Sequence, residues 1–154
     1  MLLLPATEGD FQCDFEIDHQ LVDDGFTYRA EGISVTAMHN QHLPPRADGT
    51  YRSFSYRIRL NEKTIVFTGD VKDLREIEPL LQGAQVLLAE TGHHHPSALC
   101  AALNEMGLAP HLMLIHHGRA ILEGGEAAVE EARAIYPQRI TLLEDGDSFV
   151  IRDL

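Results

Sequence analysis

The chain is poor in cysteine and in positive charge, and each shortage excludes something. Only Cys13 and Cys100 occur among 154 residues, far apart, so they read as free buried thiols of a reducing compartment rather than a disulfide framework. Lys and Arg number 12 against 24 Asp and Glu, a net charge of −12; this repels a polyphosphate backbone and disfavours nucleic acid as a partner. Several basic side chains gather in one stretch, Arg46, Arg52, Arg57, Arg59 and Lys63, which reads as a solvated strand face. No segment is apolar enough to cross a membrane. The opening Met1-Leu2-Leu3-Leu4 run stops at Pro5 without a basic flank, unlike a secretory signal, so the chain reads as cytoplasmic. Repeats, linkers and low-complexity tracts are missing too, and the length fits a single domain over 1–154.

What is present is an alternation that changes period halfway. Phe11, Cys13, Phe15 and Ile17 alternate with Gln12, Asp14 and Glu16, the period of a half-buried strand. Turn signals at Asp23-Asp24-Gly25 and Glu31-Gly32 bound short strands over 26–30 and 33–38. Beyond a Pro44-Pro45 loop, strands over 53–60 and 63–68 form a hairpin about Asn61-Glu62 that ends at Gly69-Asp70. Then Leu74, Ile77, Leu80 and Leu81 recur at helical spacing up to Gly83. An apolar strand over 86–89, a helix over 96–106 closed by Gly107, a strand over 112–115 and a helix over 126–135 continue the alternation. Strands over 139–143 and 149–151 bracket an Asp145-Gly146 turn. The class is α/β: a mixed sheet with an N-terminal antiparallel meander, then βαβαβα, then a C-terminal hairpin.

The chemistry sits where the apolar strands stop. One ends at Asp70, the next at Glu90 with Thr91 and the run His93-His94-His95, and a third at His116 and His117. In open α/β sheets the carboxyl ends of strands share an edge where ligands bind. Carboxylate oxygen and neutral imidazole nitrogen suit zinc, manganese or iron, so this rim reads as a metal or anion site. Pro96 suits the first turn of a helix and puts His95 at its positive end, where a proton donor or anion contact is favoured.

In their order along the chain, Gly32-Ile33-Ser34-Val35 leading to His42, Ser55-Tyr56-Arg57-Ile58, Ile65-Val66-Phe67-Thr68-Gly69-Asp70, Leu87-Leu88-Ala89-Glu90-Thr91 and Leu114-Ile115-His116 resemble the metallo-β-lactamase-fold hydrolases. The ribonuclease Z-like branch is the nearest. The resemblance implies the C-terminal half of an αββα sandwich, and a metal-dependent hydrolase of phosphoester or related ester bonds in its complete form. It implies Asp70 and His116 as metal ligands, with His117 taking over if the register shifts by one. His95, in His95-Pro96-Ser97, is similar to the histidine that acts near the scissile phosphate, which implies a catalytic role. His42 is implied to line the substrate side, and Glu90, His93 and His94 are expected on the same edge as substrate contacts. The implied cofactor is a divalent metal, zinc ahead of manganese or iron.

The family's His-x-His-x-Asp-His signature matches no segment; His93-His94-His95-Pro96 has neither the spacing nor the aspartate. Asp70 and His116 alone fall short of the three protein ligands typical of catalytic zinc, so the expected metal site is partial or vacant. Two accounts stand: a C-terminal piece of a longer hydrolase, or a non-catalytic half-domain acting by association. Both leave an apolar sheet face exposed, and a homodimer or a partner half-domain is the expected cover. A small anionic substrate is the other expected partner.

Overall fold

The computed structural model describes residues 20–150. The strand expected over 11–17, and Cys13 with it, lies outside them. Among the described residues, seven strands form one sheet in sequence order: β1 (Thr27–Ala30), β2 (Ile33–His39), β3 (Phe54–Leu60), β4 (Lys63–Phe67), β5 (Val86–Thr91), β6 (His111–His117) and β7 (Ile140–Leu142). Strands β1 to β4 pair antiparallel as a meander, and β4 to β7 pair parallel. The parallel half needs crossovers, and helices supply them: α1 (Glu78–Leu81), α2 (Pro96–Glu105), α3 (Arg119–Gly124) and α4 (Glu126–Arg133).

Three elements differ from the expectation. The helix over Leu74 to Leu81 splits into a 3-10 turn (Leu74–Ile77) and the short α1. Pro79 lacks an N–H and its ring clashes with the carbonyl four residues earlier, so an α-helix cannot run through. The second strand of the C-terminal hairpin does not form at Phe149 and Val150, and among the described residues β7 pairs only with β6. Phe149 is held by its ring instead, edge-on to His111 at 5.4 Å and under the Arg139 guanidinium at 5.5 Å. Helix α3 went unforeseen.

The strand period sorts the sheet into two faces. Val66, Leu87, Ala89, Leu112, Leu114 and Ile140 point one way and pack with Leu99, Leu103, Ile121, Val129 and Ala132 of the helices in one buried cluster. Fully burying an aliphatic side chain of this size contributes about 1.5–3 kcal/mol, so this layer dominates cohesion. Arg57 also points to this side and donates to the Leu80 and Gln82 carbonyls at the end of α1. The basic stretch is therefore not uniformly a solvated face. The opposite face carries Tyr56, Ile58, Ile65, Phe67, Leu88 and Ile115, all half-buried, and none of them belongs to the cluster on which the helices pack. Among the described residues no helix is long and apolar enough to cross a membrane.

Candidate metal centre

Asp70 reaches the sheet edge through a forced turn. Gly69 adopts φ 57°, and a Cβ there would lie 2.9 Å from the Phe54 carbonyl oxygen, so a side chain is barred both by conformation and by space. The chain leaves β4 through this glycine and presents Asp70 beside the end of β6.

His116 meets it through a bulge. Glu90 pairs with Ile115 and Thr91 with His117, which leaves His116 as the extra residue of β6 at φ 46°. A bulged residue drops out of the ladder and its side chain is re-aimed. His116 Nδ1 thereby comes to 2.8 Å from Asp70 Oδ1. His117 stays in the ladder, its Nδ1 3.0 Å from Thr91 Oγ1 and its Nε2 2.7 Å from the Leu143 carbonyl. Both its ring nitrogens are engaged away from Asp70. The next residue, Gly118, packs so tightly that a Cβ would sit 2.5 Å from the Gly92 carbonyl oxygen.

Two further imidazoles close on Asp70. His42 Nε2 lies 3.7 Å from Asp70 Oδ2, and the His42 and His93 rings are 5.0 Å apart. His42, Asp70 and His93 offer ligand atoms that all lie within 4.8 Å of one another. Behind them Glu90, only 1% exposed, accepts from the His93 backbone N–H at 2.8 Å and faces His93 Nδ1 at 3.1 Å. A buried carboxylate is tolerable only when so hydrogen-bonded.

His94 turns inward, its Nε2 donating to the Val71 carbonyl at 2.7 Å with Glu90 Oε1 at 3.5 Å. His95 caps α2, its Nδ1 2.7 Å from Ser97 Oγ, and its Nε2 faces Glu131 of α4 at 3.9 Å. No hydrogen bond or ion pair joins its ring to Asp70, His42, His93 or His116. The structure thus gathers Asp70, His116, His42, His93 and Glu90, with the His94 ring 3.5 Å from Glu90, while the rings of His95 and His117 engage other partners.

A buried polar row beneath this group was not read from the sequence. Asn40 donates to Ser55 Oγ at 3.0 Å, Ser55 to the Thr68 carbonyl at 2.5 Å, and the Glu90 N–H to Thr68 Oγ1 at 3.2 Å. Asn40 Oδ1 also accepts from the His42 N–H at 3.1 Å. All four of these residues are at most 1% exposed, so the row ties the His42 loop to the strands that deliver Asp70 and Glu90. Small polar residues in a strand pattern look like solvent-face positions, which is why they gave no signal.

The donor chemistry fits a divalent cation: imidazole nitrogen and carboxylate oxygen suit zinc, manganese and iron alike. Beside His116 an open cleft of about 620 Å³ is bounded by Leu143, Glu144, Asp145 and Asp147.

A family model described as a β-lactamase superfamily domain matches residues 5–117. No curated protein matches the sequence. Among solved structures, the metallo-β-lactamase fold protein YhfI from Bacillus subtilis is similar with a TM-score of 0.63 at 17% identity, over 82% of this chain and 53% of YhfI. A variant of the CmlA β-hydroxylase is similar with a TM-score of 0.53 at 12% identity, over 80% of this chain and 32% of that protein. The chain therefore spans about half the length of YhfI, and at these identities the likeness speaks for the fold. Strand order, the strand-end aspartate and histidine, and a family match over most of the chain converge on one conclusion: this chain belongs to the β-lactamase superfamily and carries part of the metallo-β-lactamase fold.

Proposed function

We propose that the protein is a metal-dependent hydrolase of phosphoester or related ester bonds, with a divalent ion, zinc first, held at Asp70 and His116. Divalent metals are general to this fold, and the Asp70–His116 contact at 2.8 Å is the observation that carries the reading. When bound, such an ion supplies Lewis acidity at the ester oxygen and a nucleophilic water at neutral pH. The chain's own residues set the frame. Asp70 and His116 hold the centre, Glu90 aims His93, and the buried row from Asn40 to Glu90 keeps the loops in register. A small substrate suits the cleft better than RNA, because Glu144, Asp145 and Asp147 line its wall and would repel a polyphosphate. The narrower ribonuclease Z-like action therefore draws no support from charge. Cytoplasmic residence agrees with Cys100, a buried free thiol that burial pushes up to about 12. The test is hydrolysis of a chromogenic phosphodiester and a chromogenic carboxylic ester by the zinc- and manganese-loaded chain. Turnover lost in Asp70→Asn is expected; no turnover above the metal-free control on either ester overturns the reading.

A second reading, a non-catalytic half-domain that self-associates, is favoured by one observation. The half-buried row Tyr56, Phe67 and Leu88 runs across three adjacent strands, on the side of the sheet away from the helix-packed cluster. Light scattering is expected to give a dimer that Phe67→Glu dissociates, and a wild-type monomer overturns it.

A further inference from the structure

We propose that Arg29 and Arg59, with the Ser34 hydroxyl between them, form a binding site for a phosphate dianion, either inorganic phosphate or the end group of a phosphate monoester. The site lies away from the Asp70 edge and does not depend on the hydrolase reading. Register puts the three residues in one row: Arg29 pairs with Ser34, and Ser34 with Arg59, across β1, β2 and β3. Adjacent strands stand about 4.8 Å apart, so the two arginines flank Ser34 with their Cα atoms about 10 Å from each other. Both line one open cleft of about 350 Å³ together with Ser34, Gly32 and Asn61. Backbone holds this end of the sheet: Asn61, at φ 54°, donates its N–H to the Gly32 carbonyl at 3.1 Å and joins the β1–β2 and β3–β4 turns. His39, where β2 approaches the Asp70 edge, is five residues past Ser34, about 17 Å away at the rise of a strand.

The positive charge in this cleft is unanswered. The chain has 24 acidic against 12 basic side chains, yet among the described residues neither the Arg29 nor the Arg59 guanidinium makes a hydrogen bond or ion pair. Arg75, Arg119 and Arg133 pair with carboxylates, and Arg52 and Arg57 donate to backbone carbonyls. Glu31 and Glu62 occupy the adjoining turns without closing on either arginine. Arg57 adds a third positive charge to the same face, and burial, with the Arg59 charge adding to it, pushes its guanidinium below its ordinary value. Like charges gathered in this way are unfavourable until an anion lies among them. The half-buried Ser34 hydroxyl, also without a partner among the described residues, supplies a donor at the centre. Each guanidinium is a planar fork that matches two oxygens of a carboxylate or a phosphate. A carboxylate has oxygens and charge for one fork only. A phosphate group offers three terminal oxygens and two negative charges, which suit two forks and one hydroxyl.

The experiment titrates the full chain with inorganic phosphate, glycerol phosphate and acetate, in buffer with a chelator so that no metal holds the anion. Calorimetry reads affinity and stoichiometry, and amide chemical shifts read the place. One phosphate per chain is expected, with shifts centred on Arg29, Ser34 and Arg59 and none at Asp70 or His116. Arg29→Met and Arg59→Met each weaken binding by about 10–100-fold, the loss of a hydrogen bond to a charged group, while Arg46→Met, outside the cleft, leaves it unchanged. All three arginines are exposed, so these variants keep the wild-type melting temperature in phosphate-free buffer, which separates lost binding from lost folding. Glycerol phosphate bound as tightly as inorganic phosphate identifies a monoester as the ligand, and weaker binding identifies the free ion; both outcomes support the site. Acetate bound as tightly as phosphate, an equal loss in Arg46→Met, shifts confined to the Asp70 edge, or binding of neither phosphate overturns it.

Discussion

His116 Nδ1 lies 2.8 Å from Asp70 Oδ1, a contact between residues 46 apart in sequence, and it exists because His116 is squeezed out of the β5–β6 ladder at φ 46°. A left-handed backbone costs an L-residue about 1–2 kcal/mol, part of which glycine avoids. His116→Gly is expected to raise the unfolding free energy by about 0.5–1 kcal/mol while weakening metal binding. Urea denaturation alongside zinc titration checks this trade of stability for site geometry; a variant less stable than wild type shows that the bulge is not strained.

Ser55 is the middle of the buried row, accepting from Asn40 and donating to Thr68. Ser55→Ala leaves the Asn40 amide without its acceptor, at a cost of about 1–3 kcal/mol. Because Asn40 also receives the His42 N–H, metal affinity is expected to fall along with stability, whereas a core variant of equal destabilisation leaves the folded protein's affinity unchanged. Ser55→Ala with wild-type zinc affinity would mean that the row supports the sheet only.

Gly118 follows the bulge, and a Cβ there meets backbone at 2.5 Å from Gly92 O and 2.8 Å from Thr91 O. Backbone cannot swing aside as a side-chain tip can, so Gly118→Ala is expected to cost about 1–3 kcal/mol or more by overpacking. Chemical-shift changes centred on Gly92 and His116 in an amide spectrum are the expected signature. Confinement of the changes to α3 would disprove the strain path.

Stability is also expected to fall on the acid side of neutrality through His111. Burial, with the Arg139 charge adding to it, pushes this imidazole below its ordinary value, and its Nδ1 is buried without a hydrogen-bond partner among the described residues. The unfolded chain then binds a proton more readily than the folded one. Stability from this group is full above the unfolded value of about 6.5 and is lost as pH falls through the window beneath it. The drop in urea midpoint from about pH 7.5 to about pH 5.5 should shrink in His111→Leu, and an unchanged drop would assign the acid sensitivity to other histidines.

Most strands and two helices were legible because each announces itself locally. Phe54, Tyr56, Ile58 and Leu60 alternate with polar residues, and Pro96 with Gly107 punctuate α2. Helix α3 was missed because Arg119–Gly124 is too short for a clear apolar period. The strand expected at Phe149 failed because an aromatic contact with His111 and Arg139 replaces ladder pairing there. At the candidate site, Asp70 was visible as the end of an apolar strand. The choice between His116 and His117 was not, since one bulge swaps which neighbour faces the edge and a bulge has no period to read.

The sequence by itself determined the α/β class, the family, and the loops in which the site residues lie, since strand period, helix caps and chain order are properties of neighbours along the chain. Only the tertiary structure decided which of nine histidines meet at Asp70. His42 and His93 come from loops 51 residues apart, Arg57 spends its charge on the end of α1, and His95 caps its own helix. Those outcomes depend on the parallel register and the buried row beneath it, where hydrogen bonds between distant strands set side-chain direction to within a few ångströms.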